Sequence, residues 1–431
     1  MGINLALHAF LARELAPRDY GILVVGINTL MFISTLAMGG LNQSILKFVA
    51  GSASNAAPDR LRSLLSKLAS VWLAMTLLIT LGGWLLFSKY VGTKLGLTPR
   101  MVLLVFACGG ALSLEQILAV FLRSFHAMPS ASLLDGRTGG GVTKTFFLGT
   151  CFVCSIFGMS LSGAWALTFL LTSLLFVAPL GLWLLRNAWQ KYCDDFAKDP
   201  QEAASNGEGV GFGNILQLSG SLLVTQVLVF LITRSDVWLA GSYVSKDDTA
   251  LYTGVRWLIL QTIAPLQILN VAISSSIAQL YAEGRKSELQ AMLQSSTSLC
   301  SLITLPVLAI MALFSEQILG LLYGPFYAAG SSILIVLAIG QAINCVTGNS
   351  AQTLVLSGKV MAIFVVNFIA AALQIVLGWW AIKNHGIYGL AVATTIVTIV
   401  QCVAIWLLAR VLTGVWTHPT LTPWKAFKSM K

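Results

Sequence analysis

Four ionisable side chains lie inside long apolar runs of the sequence. Glu115 is part of LSLEQILAV, Arg234 and Asp236 are part of LITRSDVWLAG, and Arg256 is part of LYTGVRWLILQ. A planar guanidinium binds phosphate through two parallel hydrogen bonds, and a carboxyl group removed from water binds a proton more readily. These residue types predict a site that handles anionic groups and protons.

Arg256 allows two interpretations. It lies one to two turns into its apolar run, with Trp257 beside it. Its long side chain either extends to the outer membrane interface or projects into a central cavity, where its guanidinium binds a phosphate. We favour the cavity, and Arg256 is the first candidate for substrate binding.

The other buried charges leave the same choice between structure and function. Arg234 and Asp236 are two residues apart, so on a helix they point about 200° from one another and do not pair directly. One of them faces the cavity while the other finds a partner on a neighbouring helix. The charges form either a structural ion pair with that helix or a site for substrate or an ion. Glu115 either carries a coupling proton or satisfies a polar neighbour, and the second is favoured. Arg234 is thus a substrate-binding candidate, and Glu115 and Asp236 are ion-coupling candidates.

Two further cations end apolar runs on the side predicted to be cytoplasmic. The positions of Arg123 and Lys47 are explained either by contact with lipid headgroups or by a role in admitting an anionic substrate. Both are retained as candidates for substrate binding.

Motifs for catalysis and metal binding are missing. The sequence has no GxxxxGK[ST], HExxH or GxSxG. Its seven cysteines lie mostly in apolar runs, and the CxxC formed by Cys151 and Cys154 has no second pair or nearby histidine. We therefore expect no enzyme activity, no metal and no cofactor.

Composition identifies the elements that must position these residues. Of the 431 residues, 57% are hydrophobic and 10% are charged, whereas soluble domains are about 25% charged. A helix needs roughly 20 apolar residues to cross a bilayer. The sequence predicts an all-α integral membrane protein of about twelve transmembrane helices in two six-helix bundles, the first helix being short. The predicted spans are residues 3–15, 20–41, 67–87, 101–122, 142–160, 163–185, 212–242, 250–276, 292–314, 329–352, 358–382 and 386–410.

Charge sets the expected topology. The net charge of +10 is spread over short loops and not gathered in one patch, so we expect no nucleic-acid partner. Most of the 26 Lys and Arg residues fall in loops on one side, which places both termini in the cytoplasm.

Weak similarities at a constant offset indicate that the two halves repeat one another. LARELAPRDYG, ending at Gly21, corresponds to LAGSYVSKDDTALYT, ending at Thr253. We predict an N-terminal bundle over residues 1–190, a cytoplasmic linker over 191–211, a C-terminal bundle over 212–415 and a cytoplasmic tail over 416–431.

Five segments resemble, in order, recurring segments of bacterial polysaccharide flippases. They are LARELAPRDYG, VFLRSFHAM, LYTGVRW, LYGPFYAAG and the stretch from SGKVMAIFVVNF to NHGIYGL. These flippases export O-antigen and exopolysaccharide and belong to the multidrug/oligosaccharidyl-lipid/polysaccharide (MOP, MATE-like) superfamily. Arg256 matches the intramembrane arginine of that family's LYxxxR segment, and Arg123 matches the arginine that ends its fourth span.

The resemblance implies a function. It predicts a V-shaped central cavity, alternating access and translocation of undecaprenyl-diphosphate-linked oligosaccharide across the bacterial inner membrane for surface polysaccharide biosynthesis. Expected partners are the lipid-linked oligosaccharide, membrane lipids, and the polysaccharide polymerase and chain-length machinery. The alternatives are a cation-coupled exporter of drugs or metabolites, a membrane glycosyltransferase or polymerase, and a non-transporting paralogue.

Overall fold

The computed structural model describes residues 2–46, 49, 58–125, 127–136, 140–158, 161–198 and 212–420. Within these ranges every regular element is a helix and no strand is formed. This confirms the predicted all-α class. Lys47 and most of the predicted linker lie outside the described residues.

The first half of the chain forms nine helices in its described ranges. They are α1 (Gly2–Glu14), α2 (Pro17–Ala37), α3 (Leu41–Ile45), α4 (Pro58–Leu77), α5 (Gly83–Leu95), α6 (Pro99–Ser124), α7 (Met128–Leu134), α8 (Gly141–Ile156) and α9 (Gly163–Lys198). A π-helical turn, Leu78–Gly82, joins α4 to α5.

The second half forms eight α-helices in its described part. They are α10 (Phe212–Tyr243), α11 (Lys246–Gln261), α12 (Ala264–Ala282), α13 (Lys286–Leu313), α14 (Ser315–Tyr323), α15 (Ser331–Thr347), α16 (Ser350–Leu356) and α17 (Val360–Thr413). A 3₁₀ turn, Pro325–Gly330, precedes α15.

Eight helical stretches of the described chain are long and apolar enough to cross a membrane. The longest, α17, has 54 residues, which at 1.5 Å per residue is about 81 Å. A hydrocarbon core is only about 30 Å thick. One stretch therefore contains the two spans predicted at 358–382 and 386–410, and the chain is a multi-pass membrane protein.

A kink at Gly386 separates the two halves of α17. Gly386 has φ 59° and ψ −149°, which an L-residue rarely adopts. Gln374 donates to Thr394 across 3.0 Å, and Gln401 donates to Asn367 across 2.9 Å. The members of each pair are equally distant in sequence from residue 384, so the halves form an antiparallel hairpin held by hydrogen bonds between them.

Two predicted spans are broken rather than continuous. The span predicted at 250–276 divides between α11 and α12, with Thr262 and Ile263 between them and Pro265 in the first turn of α12. The span predicted at 329–352 ends at Thr347 because Gly348 adopts φ 63°. The proline and the glycine each interrupt a run that hydropathy alone joins.

The chain divides into two compact units. Unit 1 consists of Met1–Arg13 and Leu231–Lys431, and unit 2 is Glu14–Phe230. In unit 1, α1 is attached to the later half because Arg13 donates to the backbone carbonyls of Leu321 and Leu322. The bundle boundaries drawn from the sequence, 1–190 and 212–415, stay a prediction.

Unit 2 has its own apolar core. Leu61, Leu64 and Leu68 of α4 pack with Ile117 and Phe121 of α6, and all five are buried. These α4 residues recur at three and four positions, which places them on one face of the helix. Their packing fixes α6, the helix that carries Glu115.

Candidate functional site

The centre of the candidate site is an ion pair between two neighbouring helices of unit 1. Nε of Arg256, on α11, donates to Oδ2 of Asp236, on α10, across 2.7 Å. The side chain of Asp236 is 0% exposed and that of Arg256 is 7% exposed. The sequence predicted that one member of the Arg234–Asp236 couple pairs with a neighbouring helix, and the structure gives Asp236 that role.

Neutral polar residues extend the ion pair into the α17 hairpin. The hydroxyl of Tyr252 donates to Asp236 Oδ2 across 2.8 Å and lies 3.4 Å from Thr394 Oγ1. Gln374 reaches the same Thr394 hydroxyl. The result is a continuous hydrogen-bonded path through three helices, all within unit 1.

Both oxygens of Asp236 are engaged. Oδ2 accepts from Arg256 and Tyr252, and Oδ1 accepts from the backbone N–H of Val237 across 3.0 Å. A coupling ion at Asp236 would therefore have to displace Arg256. The carboxylate is arranged chiefly to hold the arginine.

Arg256 keeps donor capacity beyond this pair. Its Nη2 donates weakly to the carbonyl of Thr233, at 3.4 Å. A guanidinium has five N–H donors, and among the described residues no partner is found for Nη1. The side chain can therefore hold Asp236 and present further donors to a second anion.

Arg234 lies against aromatic rings. Its Cζ is 4.5 Å from the ring centre of Trp257, and His8 stacks on the same indole with centroids 4.1 Å apart. A cation over an indole face gains about 0.5 to 2 kcal/mol. Arg234 thus lies over the indole of Trp257, while Arg256 holds the carboxylate of Asp236.

Glu115 forms a separate polar centre in unit 2. The side chain is 1% exposed, and its Oε1 accepts from the hydroxyl of Thr143, on α8. Lys144, next to Thr143, is also buried. Oε2 of Glu115 has no hydrogen-bond partner among the described residues, so one carboxylate oxygen is left to bind a proton.

Arg123 belongs to a different ion pair. Arg123, in the last turn of α6, pairs with Asp135, and both side chains are partly exposed. Lys47 is outside the described residues. The structure thus brings Arg256, Arg234 and Asp236 together and leaves Glu115 and Arg123 elsewhere in unit 2.

Sequence analysis missed Tyr252, Thr394 and Gln374. Tyr252 precedes Arg256 by four residues and so lies on the same helix face, a signal that was present in LYTGVRW. Thr394 and Gln374 are neutral side chains in apolar runs, and no spacing rule singles them out. Across the described ranges, no group of three or more His, Cys, Asp or Glu side chains is placed to hold a metal ion.

Comparison with protein families gives two matches. The model of the family described as polysaccharide biosynthesis protein matches residues 1–276, and the MatE model matches residues 222–380. A relative from Haloferax volcanii, described as the "Probable low-salt glycan biosynthesis flippase Agl15", is 23% identical over 177 residues. That alignment spans 40% of this chain and 37% of the relative.

Solved structures share the fold. A structure described as "Lipid II flippase MurJ, inward closed conformation" matches with a TM-score of 0.70 at 15% identity, covering 95% of this chain and 85% of that one. An inward-facing multidrug resistance MATE family transporter of the MOP superfamily matches with a TM-score of 0.67 at 16% identity, covering 96% and 94%.

These matches confirm the resemblance inferred from the sequence motifs. The matched families and structures are those of transporters and flippases and not of enzymes. The first family model covers well over half of the chain. The chain therefore belongs to the polysaccharide biosynthesis protein family and has the fold of the MOP superfamily transporters.

Proposed function

We propose that the protein is a flippase that translocates undecaprenyl-diphosphate-linked oligosaccharide across the bacterial inner membrane by alternating access, for surface polysaccharide biosynthesis. The observation that carries this proposal is the match of the polysaccharide biosynthesis family model to residues 1–276. That range contains the buried Arg234–Asp236–Arg256 group. Family and site chemistry therefore point to the same class of cargo.

The donors of the site favour an anionic cargo. The guanidinium of Arg256 is buried and keeps donors beyond its pair with Asp236, and these donors suit the oxygens of a diphosphate. A cationic drug would find no acceptor in the Asp236 carboxylate, whose two oxygens are already engaged. The site chemistry thus supports the flippase over a cation-coupled drug exporter of the same superfamily.

The names of similar proteins support the substrate class. One relative is described as a glycan biosynthesis flippase, and one structural neighbour is a lipid II flippase. Both names specify flipping, and one specifies a glycan. By this proposal Arg256 and Arg234 compensate the diphosphate charge, while Arg123 and Lys47 help admit the head group.

Coupling to a proton is assigned to Glu115 rather than Asp236. Asp236 is held by Arg256, Tyr252 and a backbone N–H, whereas Glu115 has one oxygen without a partner in the described part of the chain. A buried carboxylate that lacks a donor gains by binding a proton. The membrane potential supplies about 2.3 kcal/mol per charge per 100 mV to such a step.

The proposed cargo places the protein in the bacterial inner membrane, and the distribution of Lys and Arg over the loops supports cytoplasmic termini. The polysaccharide polymerase and the chain-length machinery would then receive the flipped substrate on the outer side.

The test is complementation of a strain that lacks this protein. Surface polysaccharide and cytoplasmic lipid-linked repeat units are measured for the wild type, Arg256→Ala and the matched control Arg256→Lys. A lost charge-assisted hydrogen bond of about 1.5 to 3 kcal/mol corresponds to a loss of about ten- to 150-fold in flux.

We expect the wild type to restore polysaccharide and Arg256→Ala, expressed at equal level, to accumulate repeat units. Arg256→Lys keeps the charge without the planar fork and should be intermediate. A deletion that leaves polysaccharide intact and alters drug efflux would contradict the flippase and favour the exporter.

A further inference from the structure

An open groove lies between α8 and α9 of unit 2. Phe169 of α9 forms one side, and the other side is formed by six residues of α8, which are Thr145, Phe146, Gly149, Thr150, Val153 and Cys154. These six form two adjacent rows at intervals of four residues, so they share one helix face. The groove has a volume of about 510 Å³. That is within the range of about 300 to 1,000 Å³ found for small-molecule sites.

The groove follows α8 for most of its length. Thr145 and Cys154 are nine residues apart, which is a rise of about 13 Å. At Gly149, near the midpoint, no atom lies within 4 Å of the place where a Cβ would be. Phe146 and Val153, at its rim, are 43% and 50% exposed. The groove is therefore open along the helix and accessible from outside the unit.

The lining of the groove is apolar in its chemistry. Thr145 Oγ1 donates to the carbonyl of Gly141 across 2.8 Å. Thr150 Oγ1 donates to the carbonyl of Phe147 across 2.9 Å. Both hydroxyl protons are thus used within α8, and the groove presents mainly methyl groups, aromatic rings and the thiol of Cys154. Such a lining suits a hydrocarbon chain and does not suit a sugar or a phosphate.

Aromatic rings give the groove a fixed shape. The ring centre of Phe146 is 4.7 Å from that of Phe176 on α9. The ring centre of Phe169 is 6.0 Å from that of Trp165. Lipid tails are as apolar as the groove, so the hydrophobic effect does not favour one chain over another there. Van der Waals fit decides, and it favours stiff, branched isoprene units, which lose less conformational entropy on binding than a saturated acyl chain does.

Charged side chains lie at the end of the groove where α8 begins. Lys144, the neighbour of Thr145, is buried, and among the described residues its ammonium has no hydrogen-bond or ion-pair partner. It interacts electrostatically with the carboxylates of Glu115 and Asp135. Arg123 pairs with Asp135. A proton on Glu115 therefore leaves Lys144 as an uncompensated cation beside the groove, which suits a phosphate group.

We propose that the groove between α8 and α9 binds the prenyl tail of the lipid-linked substrate, with the diphosphate at its Lys144 end. The proposal rests on the proposed function and adds the place where the tail is held. The distribution of Lys and Arg over the loops puts the start of the predicted span 142–160 on the cytoplasmic side. The substrate is loaded from that side, so its head group meets the cation there while its tail follows α8 into the membrane.

The direct test is photo-crosslinking in native membranes. Val153→p-benzoylphenylalanine places a photoreactive ketone in the groove. Leu85→p-benzoylphenylalanine, at a position of α5 that is 70% exposed, is the matched control. On illumination the ketone adds to a neighbouring C–H bond, and the mass of the adduct identifies the bound molecule. We expect the ratio of prenyl to phospholipid adducts to be several-fold higher at Val153 than at Leu85.

A second test fills the groove. Gly149→Leu, combined with the photoreactive group at Val153, should lower the prenyl adduct several-fold. By itself it should slow the translocation of lipid-linked saccharide in inverted vesicles. Gly220→Leu is the matched control, because this helical position of α10 also has no atom within 4 Å of an added Cβ. Lys144→Gln should lower the prenyl adduct as well, since a neutral amide holds a diphosphate less firmly.

The outcomes separate the two proposals. Equal adduct ratios at Val153 and Leu85, or phospholipid adducts alone at Val153, overturn the prenyl groove. An adduct between two copies of the chain also overturns it and assigns the groove to self-association. Vesicles containing the unsubstituted chain that translocate no faster than vesicles without it overturn the proposed function, and crosslinking still decides which molecule occupies the groove.

Discussion

Asp236 Oδ2 accepts hydrogen bonds from both Arg256 Nε, at 2.7 Å, and the hydroxyl of Tyr252, at 2.8 Å. The two donors are four residues apart on α11, so one turn of that helix presents both to the same oxygen of α10. This arrangement neutralises the carboxylate and fixes the guanidinium. The position of Arg256 in the proposed anion site thus depends on Asp236.

Removing either member of this pair should destabilise the protein. Leaving one buried charge unpaired costs about 3 to 5 kcal/mol, so Asp236→Asn and Arg256→Gln should each lower the unfolding temperature in detergent. The double variant leaves no unpaired charge and should lose less than the sum of the two. Strictly additive losses would contradict a direct pair.

Glu115 offers a prediction about energy coupling. A gradient of about one pH unit supplies about 1.4 kcal/mol per proton, and we expect it to stimulate translocation by the wild type in vesicles. Glu115→Gln should fold normally and lose this stimulation because the amide cannot exchange a proton.

The matched control for Glu115 is Thr143→Val. This change removes the hydroxyl that donates to Oε1 but keeps the carboxyl group, so the response to the gradient should remain. Full stimulation of Glu115→Gln would assign Glu115 a purely structural role.

The sequence predicted the apolar helices and the buried charges, but not how they pair. The angle between Arg234 and Asp236 on one helix was sufficient to exclude a direct pair and to predict a partner elsewhere. Naming Arg256 as that partner requires the packing of α10 on α11, which no local pattern encodes. The sequence analysis did not predict the break at Thr262 because the hydropathy stays high across it, although Pro265 marked the position.

Gly386 should be sensitive to substitution for reasons of backbone conformation alone. No neighbouring atom lies within 4 Å of where a Cβ would be placed, yet its φ is 59°. Gly386→Ala should therefore cost about 1 to 3 kcal/mol and lower the unfolding temperature.

Gly320→Ala is the control for Gly386. Gly320 also has open space around it but lies within α14 at an ordinary helical φ. Its replacement should be neutral or stabilising by up to about 1 kcal/mol. Equal losses at the two positions would contradict a hairpin that depends on the conformation of Gly386.

Two exposed positions test the proposed topology. Asp247 and Ser287 lie in the first turns of α11 and α13, at opposite ends of the broken span formed by α11 and α12. The distribution of Lys and Arg over the loops predicts that Lys246 is on the outer side and Lys286 in the cytoplasm. A membrane-impermeant maleimide should therefore label Asp247→Cys in intact spheroplasts and Ser287→Cys only in inverted vesicles. The unsubstituted chain gives the background from its native thiols. Labelling of both positions from one side would mean that α11 and α12 do not cross the membrane together, and the reverse pattern would place both termini outside.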